Sequence, residues 1–313
     1  MDAEMKLGEI IDKADVLIEA LPYIRRFHQK VIVVKYGGSA MVDDEIMKRV
    51  VKDVVLLKLV GFKPVLVHGG GKEISRWLER VGIEPKWSNG LRVTDEATME
   101  LAEMVLNKVN KELVAMIEQA GVKAIGLSGK DGEMLRVAKK MPNGDDLGYV
   151  GEVDVVNPEV IEKFLDDDYI PIICPVGIGS DYHSYNINAD DAACAVAKAL
   201  KAEKLAFLSD IEGVYLDPTN TETLIAELHS SEALKLIDKG YLTGGMVPKM
   251  HNCVDAVRNG VTRVHILDGR LRHSLLLEIF TDRGVGTAIL ADHVEKFNPR
   301  TTMRTPQAPQ IIE

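Results

Sequence analysis

The chain has 313 residues, 46% of them apolar and 27% charged, enough for one sizeable α/β domain or two small lobes. Its 48 acidic and 38 basic residues give a formal net charge of -10, which argues against nucleic acid or an anionic membrane surface as the main partner. No apolar run approaches the roughly 20 residues of a membrane span. The start, Met1 to Lys13, is acidic and lacks a signal peptide's basic and apolar regions. Cys174, Cys194 and Cys253 form no CxxC pair, so reduced, buried thiols in a cytoplasmic protein are expected.

Leu7, Ile10, Ile11, Ala14, Leu17, Ile18 and Leu21 step by three and four, the stripe of an amphipathic helix with Pro22 near its end, where it can kink or interrupt the helix. This helix precedes the first strand, so the sheet does not need it as a crossover; it either folds onto its own domain or docks on another subunit. Strand and helix patterns then alternate. Apolar β-like runs are expected at 31–36, 63–68, 122–127, 170–176, 204–208 and 263–267. Helical runs are expected at 45–61, 73–80, 95–120, 158–166, 189–202, 231–239 and 247–259. The order implies an open αβα sandwich with a mainly parallel central sheet. Gly148 to Val155 alternates with period two and reads as a hairpin arm rather than a central strand. Residues 297–313, with three prolines, read as a loosely ordered tail.

The first two strands run directly into glycine-rich turns, Lys35-Tyr36-Gly37-Gly38 and His68-Gly69-Gly70-Gly71. Glycine lets the backbone approach a ligand and aim N–H groups at it, and a following helix N-terminus adds partial positive charge. Two such turns in consecutive units imply two anionic groups held side by side, as phosphoryl transfer between anionic reactants requires. Neither turn is a Walker A loop, and no GxGxxG follows a strand.

A lysine leaving a strand is ordinarily just solvated, but the glycines around Lys35 favour a site role. Lys249 follows Gly244-Gly245 and Pro248 at a helix start, where it adds charge to the dipole. In Asn186-Ile187-Asn188-Ala189-Asp190, Asn188 and Asp190 suit helix capping. Asp190 could also hold two ammonium groups, and Asn186 could donate an amide bond to a substrate. Arg92 in Asn89-Gly90-Leu91-Arg92-Val93-Thr94 is a carboxylate anchor if it faces the cleft, otherwise an exposed arginine. Asp210 closes another strand beside Gly213, where ribose or adenine could lie. The histidines show no ligand-spaced cluster, so no protein-held metal is expected.

These segments stand in the order seen in the acetylglutamate kinases, a branch of the amino-acid-kinase family, and the resemblance covers roughly residues 22–292. It implies ATP-dependent phosphorylation of the side-chain carboxylate of N-acetyl-L-glutamate in arginine biosynthesis, with Mg²⁺ carried mainly by the nucleotide. It assigns Lys35, Lys249 and Asp190 to phosphoryl transfer. Gly70, Gly71, Arg92 and Asn186 would hold the acylated substrate, and Gly37, Gly38, Asp210 and Gly213 the nucleotide. The N-terminal helix is similar to the arm of arginine-inhibited members, in which three dimers interlace as a hexamer. Tyr23, His265, Glu278 and Gly284 would form the arginine site. The implied division is an oligomerisation helix at 1–28, a kinase domain at 29–296 and the tail. Carbamate or glutamate kinases, or a non-catalytic amino-acid sensor of the same fold, remain the alternatives.

Overall fold

The computed structural model describes residues 2–41, 43–88, 90–217, 219–281 and 284–295. In chain order its elements are α1 (Asp2–Phe27), β1 (Val31–Tyr36), α2 (Asp44–Leu59), β2 (Lys63–His68), α3 (Gly71–Arg80), β3 (Lys86–Ser88) and β4 (Leu91–Val93). There follow α4 (Glu96–Gln119), β5 (Ala124–Ser128), β6 (Leu135–Lys139), β7 (Val150–Val156), α5 (Glu159–Asp166), β8 (Ile170–Cys174), β9 (Val176–Gly179) and β10 (Ser184–Ile187). The last third holds α6 (Ala189–Ala199), β11 (Lys204–Ser209), β12 (Glu227–His229), α7 (Ser230–Asp238), α8 (Met246–Arg258), β13 (Arg263–Asp268), α9 (Ser274–Phe280) and β14 (Thr287–Leu290).

Eight strands form one sheet in the order β12-β14-β13-β11-β1-β2-β8-β5, parallel except for the β13–β14 pairing. Side chains of a strand alternate between the two faces. Val33 of β1 therefore joins a core with α5, α6, α7 and α8, while Ile32, Val34 and Tyr36 join another with α2, α4 and α9. Helices cover both faces, the expected sandwich. Lys35 shares the parity of Val33 and so faces α6. The β1–β2 register pairs Tyr36 with His68 and ends both strands at the same level, so the two glycine turns emerge side by side. Beyond β1 the strand order grows in two directions, β2 on one side and β11 on the other. Open α/β sheets bind ligands at such a switch point, outside the carboxyl ends of the strands.

The Gly148–Val155 arm is borne out: β7 pairs antiparallel with β6 and closes a small barrel with β9 and β10, outside the central sheet. The run expected at 170–176 divides into β8 and β9 around Pro175. Val122 is drawn into the turn after α4, where its N–H bonds to the Ile117 carbonyl, so β5 begins later than its apolar run. Pro22 does not end the first helix, which runs to Phe27. The last turn is held from outside, because Tyr23 and Phe27 pack into the core that contains Leu275 and Ile279 of α9. The tail lies outside the described residues.

The hairpin is tied to the segment between β4 and α4 by a close backbone crossing. Gly148 has φ +77°, and a Cβ there would lie 2.2 Å from the Thr94 carbonyl oxygen. Gly148→Ala should therefore cost about 2–4 kcal/mol, combining left-handed strain and overpacking. Gly144→Ala, at φ +87° with open space around it, should lose only about 1 kcal/mol. Denaturant midpoints of the two variants check the contrast.

Candidate active site

The two glycine turns touch. The Gly69 N–H donates to the Tyr36 carbonyl at 2.7 Å. A Cβ on Gly37 would lie 2.8 Å from Lys35 Nζ, and one on Gly70 would lie 2.5 Å from Leu106 Cδ2. Gly70 opens α3 without a side-chain cap, so the first-turn N–H groups have no intrahelical partner. Below this turn His68 is fully buried. It donates from Nδ1 to the Gly69 carbonyl at 2.8 Å and accepts at Nε2 from Asn110 Nδ2 at 3.2 Å. Asn110 also donates to the Ile172 carbonyl of β8 at 2.8 Å. Burial pushes the imidazole down to about 4, which keeps it neutral and this chain of bonds intact at neutral pH.

Asp190 lies in the first turn of α6, whose cap Asn188 accepts from the N–H groups of Asp190 and Asp191 at 2.8 and 3.3 Å. Its carboxylate bridges two ammonium groups, with Oδ1 2.8 Å from Lys35 Nζ and Oδ2 2.5 Å from Lys249 Nζ. All three side chains are at most one-fifth exposed. Lys249 arrives from α8 and lies 4.8 Å from the ring centroid of Phe207. Burial of Asp190 works against its charge, but the two ammonium groups outweigh burial and bring the carboxyl down to about 2. The cluster carries two positive charges and one negative, an excess of one cation, and Lys35 and Asp190 of it line the cleft.

The cleft has a volume of about 530 Å³, and its wall includes Lys35, Gly38, Gly70, Gly71, Arg92, Asn186 and Asp190. That size suits a small-molecule site. Arg92, 6% exposed, donates through Nη2 to the Gly71 carbonyl at 2.9 Å and to Ser75 Oγ at 2.8 Å, and its guanidinium stacks 4.5 Å over Trp87. Nη1 of the same group is buried with no partner. An unpaired edge of a buried guanidinium calls for an anionic acceptor, and a carboxylate matches its geometry. Asn89, two residues before β4, lies outside the described residues.

On the other side Gly38 turns at φ +73° with open space around it. Asp210 is exposed where β11 ends, and Ser209 Oγ beside it is buried without a partner. Gly213 is tightly packed, since a Cβ there would lie 2.6 Å from Thr287 Oγ1. Asp210 and Gly213 thus flank the cleft instead of lining it. Its two acidic wall residues, Asp190 and Glu73, are both engaged by cations. Among the described residues no group of three or more His, Cys, Asp or Glu side chains could hold a metal ion.

A second polar cluster is buried between the sheet and α9. His265 Nδ1 meets Glu278 Oε1 at 2.6 Å, and its Nε2 lies 3.1 Å from Lys204 Nζ. Glu278 Oε2 accepts from the N–H groups of Val285 and Gly286 at 2.8 and 3.2 Å. Gly284, at φ +63°, leaves the carboxylate room that a Cβ would take at 2.5 Å. Burial first, then the Lys204 charge, brings His265 down to about 4, so the imidazole is neutral and donates to Glu278. Burial also lowers Lys204, to about 8. Phe27 of α1 covers its ammonium at 4.9 Å. Tyr23 packs one turn earlier in the same core.

The family model described as the amino acid kinase family matches residues 30–268. The chain belongs to the amino acid kinase family. Among relatives of this amino acid kinase, acetylglutamate kinase of Caldanaerobacter subterraneus subsp. tengcongensis is 56% identical over 91% of this chain and 95% of its own length. Acetylglutamate kinase of Campylobacter jejuni subsp. doylei is 54% identical over 90% of this chain and the whole of its own. Among solved structures, N-acetylglutamate synthase of Neisseria gonorrhoeae, complexed with coenzyme A and N-acetyl-glutamate, superposes with a TM-score of 0.80 at 28% identity. It covers 90% of this chain, which spans 64% of that synthase. The synthase complexed with coenzyme A and L-arginine gives 0.76 over 88% of this chain and 65% of its own.

Within this amino acid kinase, sequence reasoning brought Lys35, Asp190 and Lys249 to one point and His265, Glu278 and Gly284 to another. It did not single out Lys204, at the start of β11 beside His265, and it gave no role to His68, Asn110 or Ser75. Lys204 did carry a signal: its parity puts it on the strand face of Ala206, opposite Arg263 and beside His265.

The Asp190 cluster makes a pH-dependent contribution to stability. With the folded carboxyl at about 2 against an ordinary value of 3.8, Asp190 stabilises the fold by about 2 kcal/mol above pH 4, and this is lost as pH falls towards 2. Asp190→Asn should therefore be less stable at neutral pH, by about 2–5 kcal/mol, because it also leaves two buried ammonium groups facing each other. The gap to the unmutated protein should narrow between pH 4 and 2. Urea titrations across that range measure it.

Proposed function

We propose that this chain transfers the γ-phosphoryl group of ATP to the side-chain carboxylate of N-acetyl-L-glutamate in arginine biosynthesis. The observation that carries the reading is one cleft whose wall holds Lys35 and Asp190, the latter bridged behind to Lys249, together with the unpaired buried edge of Arg92. The attacking carboxylate is ionised at neutral pH, so no general base is needed. Catalysis reduces to aligning two anions and neutralising the transferred group. Lys35 and Lys249 supply that charge, and Asp190 keeps the two ammonium groups at one spot without consuming both. Arg92 takes the α-carboxylate, Asn186 the acetamido end, and the amides of Gly70 and Gly71 the reacting carboxylate. Gly37, Gly38, Asp210 and Gly213 form the nucleotide side. Mg²⁺ would enter on the phosphates of ATP, where it neutralises their charge; among the described residues no group of three or more His, Cys, Asp or Glu side chains could hold it.

Relatives more than 50% identical over nine-tenths of the chain are acetylglutamate kinases, whereas carbamate kinase of Giardia lamblia matches at 16% and indicates the fold alone. Incubation with ATP, Mg²⁺, hydroxylamine and a panel of acids tests the reading. Acyl hydroxamate should form with N-acetylglutamate and be at least about a hundredfold slower with glutamate, whose free ammonium would face the cleft's cations. Equal rates would point to another kinase of the family, and no product with any acid would point to a sensor.

The Lys204–His265–Glu278 cluster with Gly284 and Tyr23 is the arginine site in this reading, and α1 the arm of a hexamer built as a trimer of dimers. Support comes from the apolar face that α1 leaves open, with Leu17 72%, Ile18 67%, Ile11 50% and Leu21 47% exposed. Such a continuous stripe on one helix is the signature of a docking face. No helix among the described residues is long and apolar enough to cross a membrane, and we place the enzyme in the cytoplasm. Deleting residues 1–22 should leave an active, smaller particle with weakened arginine inhibition. Light scattering together with an arginine titration of the rate checks both halves of that expectation.

A further inference from the structure

Lys35–Asp190–Lys249 has a neighbour built to the same plan. Asp191, the next residue of α6, accepts from Lys140 Nζ at Oδ2 and from Asn252 Nδ2 at Oδ1, both at 2.8 Å. Lys140 comes from the end of β6, where its own N–H donates to the Val150 carbonyl at 2.8 Å. Asn252 comes from α8, three residues beyond Lys249 and on the same helix face. Three elements, the hairpin, α6 and α8, thus meet at one carboxylate. Lys140 and Asp191 are 22% and 25% exposed at the side chain.

The start of α8 needs such an anchor. Gly245 caps it without a side-chain hydrogen bond, Gly244 turns at φ +58°, and a Cβ on either would meet nothing within 4 Å. The first bonds after the turn, Met246 N–H to Thr243 and Val247 N–H to Gly244, are both 3.3 Å long. Nothing in that turn wedges Lys249 in place. In the free protein Lys249 is located by Asp190 itself, but that bond weakens when the ammonium turns to an incoming phosphoryl group. The Asn252–Asp191 bond uses no atom that a ligand would claim.

We propose that Asp191, gripped by Lys140 and Asn252, is a positioning residue that holds α8 in register on α6 so that Lys249 stays aimed while it transfers its hydrogen bonds from Asp190 to the migrating group. The inference rests on the kinase reading above. The plainer alternative, an ordinary partly exposed ion pair, would contribute little to stability and nothing to turnover. The same α6–α8 seam carries its own control: Lys198 pairs with Asp255 at 2.5 Å further along, with side chains 32% and 52% exposed.

The test is steady-state kinetics with ATP and N-acetylglutamate. Asn252→Ala should lower kcat about tenfold or more, since small misplacements of a catalytic group are costly, with KM for N-acetylglutamate within twofold of the unmutated value. Asp191→Asn keeps an acceptor for Asn252 and should retain most of the rate, while Lys198→Ala should retain all of it. In a Lys249→Ala background, Asn252→Ala should cause no further fall, because it acts only through that lysine. Lys140→Met, on the hairpin, should give a smaller fall in kcat and carries the test if Asn252→Ala does not fold. Full activity of both Asn252→Ala and Lys140→Met, an equal fall for Lys198→Ala, or an undiminished effect in the Lys249→Ala background would each overturn the inference. An unmutated chain that phosphorylates no acid overturns the kinase reading and this inference together; an active one that fails these patterns overturns only the inference.

Discussion

One carboxylate between two ammonium groups is the constraint around which this molecule is arranged. Each cation in that cluster would be expensive to bury alone, and two would repel, so Asp190 must be present for Lys35 and Lys249 to stand together in a largely enclosed place. Because the charges do not cancel, the cluster is stable enough to form in the empty protein and still one negative charge short. That shortage is what an anionic transition state can fill. The fold's contribution is to bring a strand exit and two helix starts to the same point. Parallel register does the first part, as β1 and β2 end level with one another. The Asn188 cap sets the start of α6 at Ala189 and thereby aims Asp190 back at β1.

The support beneath the glycine turns follows a complementary logic. His68 and Asn110 are polar groups in a fully buried position, where an unpaired donor or acceptor would cost about 1–3 kcal/mol. Both imidazole nitrogens are bonded and the Asn110 amide donates to His68 Nε2 and the Ile172 carbonyl, while Asn110 Oδ1 alone stays buried without a partner; the imidazole's lowered proton affinity keeps it neutral through neutral pH. The neutral state matters. A charged imidazole would be a second donor at Nε2 and would face the Asn110 amide with no acceptor to meet. The bonds therefore fix the strand exit from below while leaving the amides above it open to a ligand.

Much of this was legible because it is local. Alternation along β1 assigns Lys35 to the α6 face, a glycine turn marks each strand exit, and Asn188 announces a helix start beside Asp190. What could not be read is what depends on tertiary register. Lys204 and His265 are 61 positions apart and meet because β11 and β13 are adjacent. Local pattern leaves Arg92 either facing the cleft or exposed, and it is the stacking of Trp87 and the approach of Ser75 and Gly71 that bury it. Pro22 is a strong local signal that tertiary packing overrides, since Tyr23 and Phe27 anchor the helix beyond it. The short strands β12 and β14 carry too few residues to show a period at all.

The two buried polar clusters differ in one respect that sets what each can accept. In the cleft the sum is positive, and Arg92 adds a second unpaired positive edge. Around His265 the sum is zero: a charged lysine, a neutral imidazole and a carboxylate whose second oxygen is already bound by two backbone N–H groups. An anion entering the cleft repairs a deficit, whereas a cationic ligand at the second cluster must replace a contact that already exists. The Lys204–His265 contact is the replaceable one, because its loss frees a lysine already held below its ordinary proton affinity and covered by the aromatic ring of α1. The contact between the second cluster and α1 is the face of Phe27.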